Sequence, residues 1–143
     1  MALERTFSII KPDAVEKKKA GAILALLEEA GFSILACKRV HLTKEVAEGF
    51  YAVHKARQFF GELVQFMTRS PVFVSVLERD DAVAQYRKVM GATDSKKADP
   101  GTIRALYGRD VGENAVHGSD SLENAKIEIG YFFPASEVAP SAG

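Results

Sequence analysis

His117 is the residue of this sequence with the clearest chemical potential, because it follows Asn114 closely and directly precedes Gly118. A histidine at the end of a strand and before a flexible glycine can project into a cleft. There its imidazole can act as a nucleophile, a base or a ligand. The alternative is a structural histidine that is satisfied within the fold, since position in a fold does not establish function.

Four further side chains could form an anion site with His117. Lys11 follows the first predicted strand, Arg87 lies in the last turn of a predicted helix, and Arg104 lies in a long connection. Thr93, in the same connection, could add a hydroxyl donor. Each charge alone is typical of a solvated surface. Together they could hold a polyphosphate, the arginines through forked donors and the lysine as a point charge.

The sequence contains neither the G-x-x-x-x-G-K-[ST] phosphate loop nor the G-x-G-x-x-G dinucleotide fingerprint. Any phosphates would therefore be held by side chains. The equal numbers of basic and acidic residues, 19 of each, provide no global attraction for nucleic acid or an anionic membrane. A single cysteine, Cys37, and three histidines without cysteine partners offer no structural zinc spacing.

Hydrophobic spacing predicts the elements that must position these residues. Short apolar or β-branched runs predict strands at 7–10, 32–42, 71–77 and 114–117. Thr43 is predicted to cap one helix, and Asp120 and Glu123 are predicted to form a capping box for another. Apolar side chains at helical spacing predict five helices with these inward residues: Ile23, Leu26, Leu27 and Ala30; Val46, Phe50 and Val53; Phe60, Leu63, Val64 and Met67; Val83, Tyr86 and Met90; Leu122, Ala125 and Ile129.

The order of these elements predicts an α/β (α+β) sandwich on the ferredoxin-like βαββαβ plan. We expect an antiparallel sheet covered by helices, mainly on one face. The connection 91–112 is long for a compact domain, which favours a functional role.

The length of 143 residues and the apolar content of 47% are typical of a single folded domain. Residues 134–143 are small and polar, so we expect a loosely held tail. The charged start of the chain is unlike a signal peptide, and no apolar run approaches a membrane span, so a cytoplasmic protein is expected.

The segment 114–120, Asn-Ala-Val-His-Gly-Ser-Asp, resembles the active-site signature of the nucleoside diphosphate kinases. The resemblance extends over residues 4–134, nearly the whole chain. Supporting segments follow in the family's order: Ile9–Ala14, Gly49–His54, Phe59–Phe60, Gly91–Thr93, Pro100–Arg104 and Glu128–Phe133.

The resemblance implies a ping-pong phosphoryl transfer. His117 would attack the γ-phosphate of ATP or another nucleoside triphosphate, hold it as phosphohistidine, and pass it to a nucleoside diphosphate. Imidazole suits this role because it is nucleophilic when neutral, near pH 7. Mg²⁺ would arrive with the nucleotide phosphates. The resemblance also implies a homo-oligomer, a tetramer or a hexamer built from dimers.

The resemblance also assigns roles to individual residues. Glu128 would orient His117, although alone it is typical of a solvated helix glutamate. Tyr51 would lie near the transferred phosphate. The implied phosphate contacts are His54, Arg87, Thr93 and Arg104; the sugar contacts are Lys11 and Asn114; and the apolar clip around the base is Phe59, Leu63 and Val111. Core packing is the alternative for Leu63 and Val111. Because no clip side chain can hydrogen-bond to a base edge, broad base specificity is expected.

Four positions depart from the family pattern: Gln58, Arg79, Leu106 and the pair Asp94-Ser95. None of them is an implied nucleotide contact, but the Asp94-Ser95 departure bears on assembly. The competing hypothesis is a non-catalytic binding module, because ferredoxin-like sheets also bind nucleic acid. The presence of His117, Lys11, Arg104 and Glu128 favours the enzyme, as does the absence of an RNA-binding aromatic-glycine motif.

Overall fold

A four-stranded antiparallel sheet forms the centre of the molecule in the computed structural model, which describes residues 3–141. The strands are β1 (Leu3–Ile10), β2 (Ser33–Val40), β3 (Val72–Asp80) and β4 (Val116–Gly118), arranged in the order β2-β3-β1-β4. In the central strand β1, Phe7 lies opposite Val76 of β3, and Ile9 lies opposite His117 of β4. The ferredoxin-like arrangement predicted from the sequence is confirmed.

Within the described residues, seven α-helices connect and cover the strands. They are α1 (Pro12–Glu16), α2 (Ala20–Glu29), α3 (Lys44–Phe50), α4 (Phe60–Met67), α5 (Ala82–Met90), α6 (Ile103–Tyr107) and α7 (Leu122–Phe132). Short 3₁₀ turns occupy Ala52–His54, Ser95–Lys97 and Ala135–Glu137. The long connection after α5 therefore contains a helix, α6, that hydrophobic spacing did not predict.

Helices cover both faces of the sheet, so the expectation of one covered face was wrong. Phe7 and Ile9 of β1 pack into a cluster with α3 and α4, whereas Ile10 packs on the opposite face with α2 and α5. Residues 6–10 are all buried. β1 also buries the polar residues Thr6 and Ser8, and Ser8 Oγ lies 2.6 Å from the hydroxyl of Tyr86 on α5.

Two residues predicted to point inward are exposed instead. Val53 is 86% exposed because α3 ends at Phe50, and the helical spacing does not continue into the following 3₁₀ turn. Leu122 is 51% exposed in the first turn of α7. The predicted capping box is also wrong: Ser121 is the N-cap of α7, and its side chain accepts the Asn124 amide hydrogen.

The C-terminal segment makes polar contacts with the sheet. Ala139 N donates to Leu35 O at 3.0 Å, Lys38 pairs with Glu137 at 3.0 Å, and Ser141 Oγ donates to Glu78 at 2.8 Å. Apolar spacing does not reveal such backbone and polar contacts. Residues 134–141 are exposed except for half-buried Val138, the expectation of a loosely held tail stays a prediction, and residues 142–143 lie outside the described range.

The positions that depart from the family pattern have different structural settings. Arg79 donates from Nη1 to Ala30 O at 2.6 Å, so it satisfies a carbonyl at the end of α2. Buried Ser95 donates to Asp110 O at 3.2 Å. Gln58 and Leu106 are exposed. Within residues 3–141 no helix is long and apolar enough to cross a membrane.

Candidate active site

His117 and Glu128 form the central pair of the site. His117 Nε2 lies 3.0 Å from Glu128 Oε1, and both side chains are about one-fifth exposed (23% and 21%). Ser119 Oγ donates to the same carboxylate oxygen at 2.8 Å. A carboxylate accepts hydrogen bonds, so Nε2 carries the proton in neutral His117 and the lone pair lies on Nδ1. Glu128 is therefore not a solvated helix glutamate.

The backbone of His117 is fixed by close packing on both sides. The rings of Phe50 and Phe7 lie edge-on to the imidazole at centroid distances of 5.6 and 6.4 Å. At the next residue, a Cβ atom on Gly118 would lie 2.8 Å from Tyr86 and Met90 side-chain atoms. The sequence requires glycine here for space, and β4 can therefore lie directly on α5.

A row of aromatic rings leads away from the His117–Glu128 pair. Tyr51 is buried, and both this burial and the nearby charge of Glu128 raise the pKa of its hydroxyl. The Tyr51 and His54 rings are 6.5 Å apart, and the His54 and Phe59 rings are 5.6 Å apart. These three predicted site residues therefore follow one another along one side of the site.

Lys11, Asn114 and Thr93 are joined by hydrogen bonds. Lys11 Nζ donates to Asn114 Oδ1 at 2.8 Å, and Asn114 Nδ2 donates to Thr93 O at 2.9 Å. The Thr93 carbonyl thus holds the Asn114 side chain, a contact that the sequence did not predict, and the predicted role of the Thr93 hydroxyl stays a prediction. Burial, aided by the charge of Arg104, lowers the pKa of Lys11 to about 8.

Arg104 and Arg87 bring two positive charges together. Arg104 is buried and donates to Gly91 O at 3.2 Å and to Val116 O at 2.9 Å, while its buried Nε has no hydrogen-bond partner. Burial is the main cause of the lowered pKa of Arg104, and the charge of Arg87 lowers it further. Arg87 is exposed on α5. Adjacent cations with an unused buried donor are suited to an anionic ligand.

Two clefts are lined by some of these side chains, whereas Tyr51, Arg87, Thr93, Arg104 and Asn114 line neither of them. A cleft of about 730 Å³ is lined by Lys11, Phe59, Leu63 and Val111, among others. A smaller one, of about 330 Å³, is lined by His54, His117 and Glu128. Phe59 and Val111 are 45% and 57% exposed, which excludes the core-packing alternative for Val111. Leu63 is half-buried.

Comparison with known proteins identifies the family. The family model described as nucleoside diphosphate kinase matches residues 4–138. The chain belongs to the nucleoside diphosphate kinase family. It is 66% identical to the nucleoside diphosphate kinase of Sorangium cellulosum (strain So ce56) over 142 residues, which cover 99% of each chain. It is 61% identical to that of Bradyrhizobium diazoefficiens over 138 residues, 96% of this chain and 99% of the relative.

Solved nucleoside diphosphate kinases share the same fold. The enzyme from Aquifex aeolicus superposes with a TM-score of 0.94 at 47% identity, covering 96% of this chain and all of that one. The enzyme from Halobacterium salinarum, solved in complex with CDP, gives the same TM-score at 41% identity, covering 99% of this chain and 95% of that one. As a nucleoside diphosphate kinase, the chain is a nucleotide-binding phosphotransferase.

Three residues of this nucleoside diphosphate kinase site carried no role in the sequence interpretation. They are Asp13, which accepts the Ala115 amide hydrogen; Ser119, which bonds to Glu128; and Tyr86, whose hydroxyl lies 2.6 Å from Ser8 Oγ. Asp13 and Ser119 lie inside segments quoted for the resemblance, so position in a motif was the available signal. Tyr86 was predicted only as a core residue.

Residues 3–141 contain no group of three or more His, Cys, Asp or Glu side chains arranged to hold a metal ion.

Proposed function

We propose that this enzyme transfers the γ-phosphate of a nucleoside triphosphate to a nucleoside diphosphate by a ping-pong mechanism through phosphohistidine on His117. The observation that carries the proposal is the His117 Nε2–Glu128 Oε1 contact of 3.0 Å in a cleft that His54 also lines. This contact leaves Nδ1 as the nucleophile. Nδ1 forms a bond to the γ-phosphorus while the bond to the leaving β-phosphate oxygen breaks, and the second half-reaction reverses these steps with a new diphosphate.

Glu128 supports both half-reactions without forming a bond to phosphorus. Its carboxylate accepts a hydrogen bond from Nε2–H, which fixes the tautomer and stabilises the positive charge that develops on the ring. Ser119 donates to the same oxygen at 2.8 Å and so holds the carboxylate in place. Buried Tyr51 keeps its proton at neutral pH, since its pKa is raised, and can donate a hydrogen bond to the transferring phosphoryl group.

The cations bind the phosphates. Arg87 and Arg104 supply forked donors for the triphosphate, and His54 and the Thr93 hydroxyl add further donors. The substrate is the Mg²⁺–nucleotide complex, in which the phosphate oxygens hold the ion and the ion offsets part of the phosphate charge. Lys11 and Asn114, already paired at 2.8 Å, bind the sugar hydroxyls.

The base binds in the larger cleft between Phe59 on one side and Leu63 and Val111 on the other. Stacking is tolerant of the base because every base has a π-face. A relative, the Halobacterium salinarum enzyme, is solved with CDP, which supports acceptance of a pyrimidine. We therefore propose broad base specificity.

Assembly and location complete the proposal. We propose a homo-oligomer, a tetramer or a hexamer built from dimers, because symmetric closure is the common outcome for such chains and the resemblance implies it. Light scattering at micromolar concentration tests this, and a stable monomer would contradict it.

Cys37 has no second cysteine in the chain with which to pair, which agrees with a reducing, cytoplasmic environment.

The transfer assay tests the function with a matched pair of variants. ATP and a second diphosphate are supplied to the wild type, to His117→Ala and to His41→Ala, whose imidazole bonds to Thr68 O outside the site. We expect His117→Ala to abolish transfer and His41→Ala to retain it. Nucleotide binding without transfer in the wild type would favour the non-catalytic binding module.

A further inference from the structure

Asp13 is a buried carboxylate of α1 for which the proposed mechanism has no use. It is 1% exposed, and its Oδ2 accepts a hydrogen bond from Ala115 N at 3.0 Å. Ala115 has a φ of +72°. A non-glycine residue in this left-handed region is strained by roughly 1–2 kcal/mol, so surrounding contacts must hold it.

Three hydrogen bonds join the segment that contains Asp13 to the segment that precedes His117. Besides the Asp13 contact, Lys11 N donates to Ala115 O at 2.8 Å, and Lys11 Nζ donates to Asn114 Oδ1 at 2.8 Å. Both backbone polar groups of Ala115 are therefore bound by residues 11–13. Ala115 lies between Asn114 and β4, the strand that carries His117. Its backbone conformation therefore sets the directions of Asn114 and His117.

The Asp13 carboxylate also acts on the charge of Lys11. Burial and the charge of Arg104, on α6, lower the pKa of Lys11, and Asp13 opposes both. The pKa of Asp13 is itself raised, because the effect of burial exceeds the opposing effects of the Ala115 N–H and of the Lys11 and Lys17 charges. The other charged groups that line the same cleft as Lys11 are Glu62 of α4, Arg69 just after α4, and Asp110 and Glu113 of the connection between α6 and β4.

We propose that Asp13 is a positioning residue for phosphoryl transfer, whose carboxylate holds the left-handed turn at Ala115 and keeps the Lys11 ammonium charged inside the site. The catalytic consequence rests on the proposed role of Lys11 in binding the nucleotide. Lys11 is fully protonated well below pH 8 and loses its charge as the pH rises through its pKa. Removal of the Asp13 charge moves that loss to lower pH.

The test removes the negative charge of the Asp13 side chain and keeps its shape. Asp13→Asn retains an oxygen that can accept the Ala115 hydrogen bond, so the turn at Ala115 should be retained. The Lys11 titration is followed by NMR of the lysine side chain in the nucleotide-free protein, with Lys11→Arg used for assignment. We expect the Lys11 pKa to fall by roughly one unit in Asp13→Asn, as one nearby opposite charge is removed. The alkaline limit of kcat/KM should fall by the same amount.

Asp94→Asn is the matched control. Like Asp13, Asp94 accepts a hydrogen bond from a backbone N–H group, that of Lys96. Unlike Asp13, Asp94 does not shift the pKa of Lys11. This control should leave the Lys11 titration unchanged. A lowered Lys11 pKa without a matching change in kcat/KM would support the effect of Asp13 on Lys11 and contradict the proposed role of Lys11 in nucleotide binding. The experiment therefore distinguishes failure of the Asp13 proposal from failure of the proposed function of Lys11.

A second pair of variants tests the turn and covers the case in which Asp13→Asn does not fold. Asp13→Ala should lower the thermal midpoint, and Ala115→Gly in that background should restore part of the loss, because glycine adopts a positive φ without strain. Ala115→Gly alone serves as the reference of the double-mutant cycle. The double variant should keep the lowered Lys11 pKa. An unchanged Lys11 titration, or no rescue by glycine, would overturn the proposal.

Discussion

At the scale of single residues, two hydrogen bonds to the Glu128 carboxylate fix the orientation of the His117 ring. One comes from His117 Nε2 and the other from Ser119 Oγ. Together they fix both the ring and the carboxylate, so Nδ1 is presented in one orientation. Preorganisation of this kind lowers the barrier because no group must turn during the reaction.

Glu128→Gln should lower phosphoryl transfer more than it lowers nucleotide binding. The amide can keep a contact to the imidazole but stabilises its positive charge less well. We expect a loss in kcat of about 10- to 100-fold, the range seen for partners that orient a reactive histidine. Single-turnover rates and nucleotide Kd measure the two effects, and Glu123→Gln, exposed on the same helix, is the control. Equal losses in rate and Kd would indicate a binding role.

Arg104→Ala should lower both activity and stability. A preorganised cation at a transferring phosphoryl group contributes about 3 kcal/mol or more to the transition state. Loss of the side chain also leaves the Gly91 and Val116 carbonyls without their donors, at about 1–3 kcal/mol for each buried group. Steady-state kinetics and urea unfolding measure the two effects. Arg39→Ala, at an exposed position of β2, is the control. An unchanged kcat/KM would remove Arg104 from the site.

At the scale of elements, the sequence predicted the four strands and most helices because strong apolar runs and helical spacing are local signals. Errors arose at the ends of helices, where an apolar residue is not covered by the core. Val53 lies beyond the end of α3, and Leu122 lies in the exposed first turn of α7. The five-residue helix α6 has too short a pattern to detect. Coverage of both sheet faces depends on contacts between distant segments, which spacing within one segment does not reveal.

Gly118→Ala should displace β4 from α5 and with it His117. The added Cβ would lie 2.8 Å from Tyr86 and Met90 atoms, and overpacking of this kind destabilises by about 1–3 kcal/mol. Gly21→Ala is the matched control, since a Cβ at this position in α2 meets nothing within 4 Å and should stabilise by about 0.5–1 kcal/mol. Thermal unfolding distinguishes the two substitutions. Equal midpoints for both variants would contradict the close β4–α5 packing.

At the scale of the whole molecule, the site assembles residues separated by more than a hundred positions, from Lys11 to Asn114. The sequence indicated these residues through the motif resemblance, and the structure brings Lys11, Asn114, Arg104 and their neighbours together. It could not indicate that the Thr93 carbonyl accepts a hydrogen bond from Asn114. Nor could it indicate that Asp13 supports Ala115, since a backbone angle and a buried contact across 102 residues leave no local pattern.

The shape of the larger cleft predicts the range of substrates. We expect A, G, C, U and T diphosphates all to be accepted, with kcat/KM values within about two orders of magnitude and purines favoured by their larger stacking area. Phe59→Ala should weaken all five and narrow the purine advantage. Assays of each diphosphate with one triphosphate donor measure this. A thousandfold preference for one base would instead require buried polar groups that read base edges.

The most direct test of the central claim is isolation of the phosphorylated enzyme. The protein is incubated with γ-labelled ATP, separated from nucleotide, and either treated with acid or base or mixed with an unlabelled diphosphate. We predict label on His117 that is labile in acid, stable in base and transferred in full to the added diphosphate, and no label on His117→Ala. Label retained by His117→Ala, or label that an added diphosphate cannot remove, would contradict the mechanism.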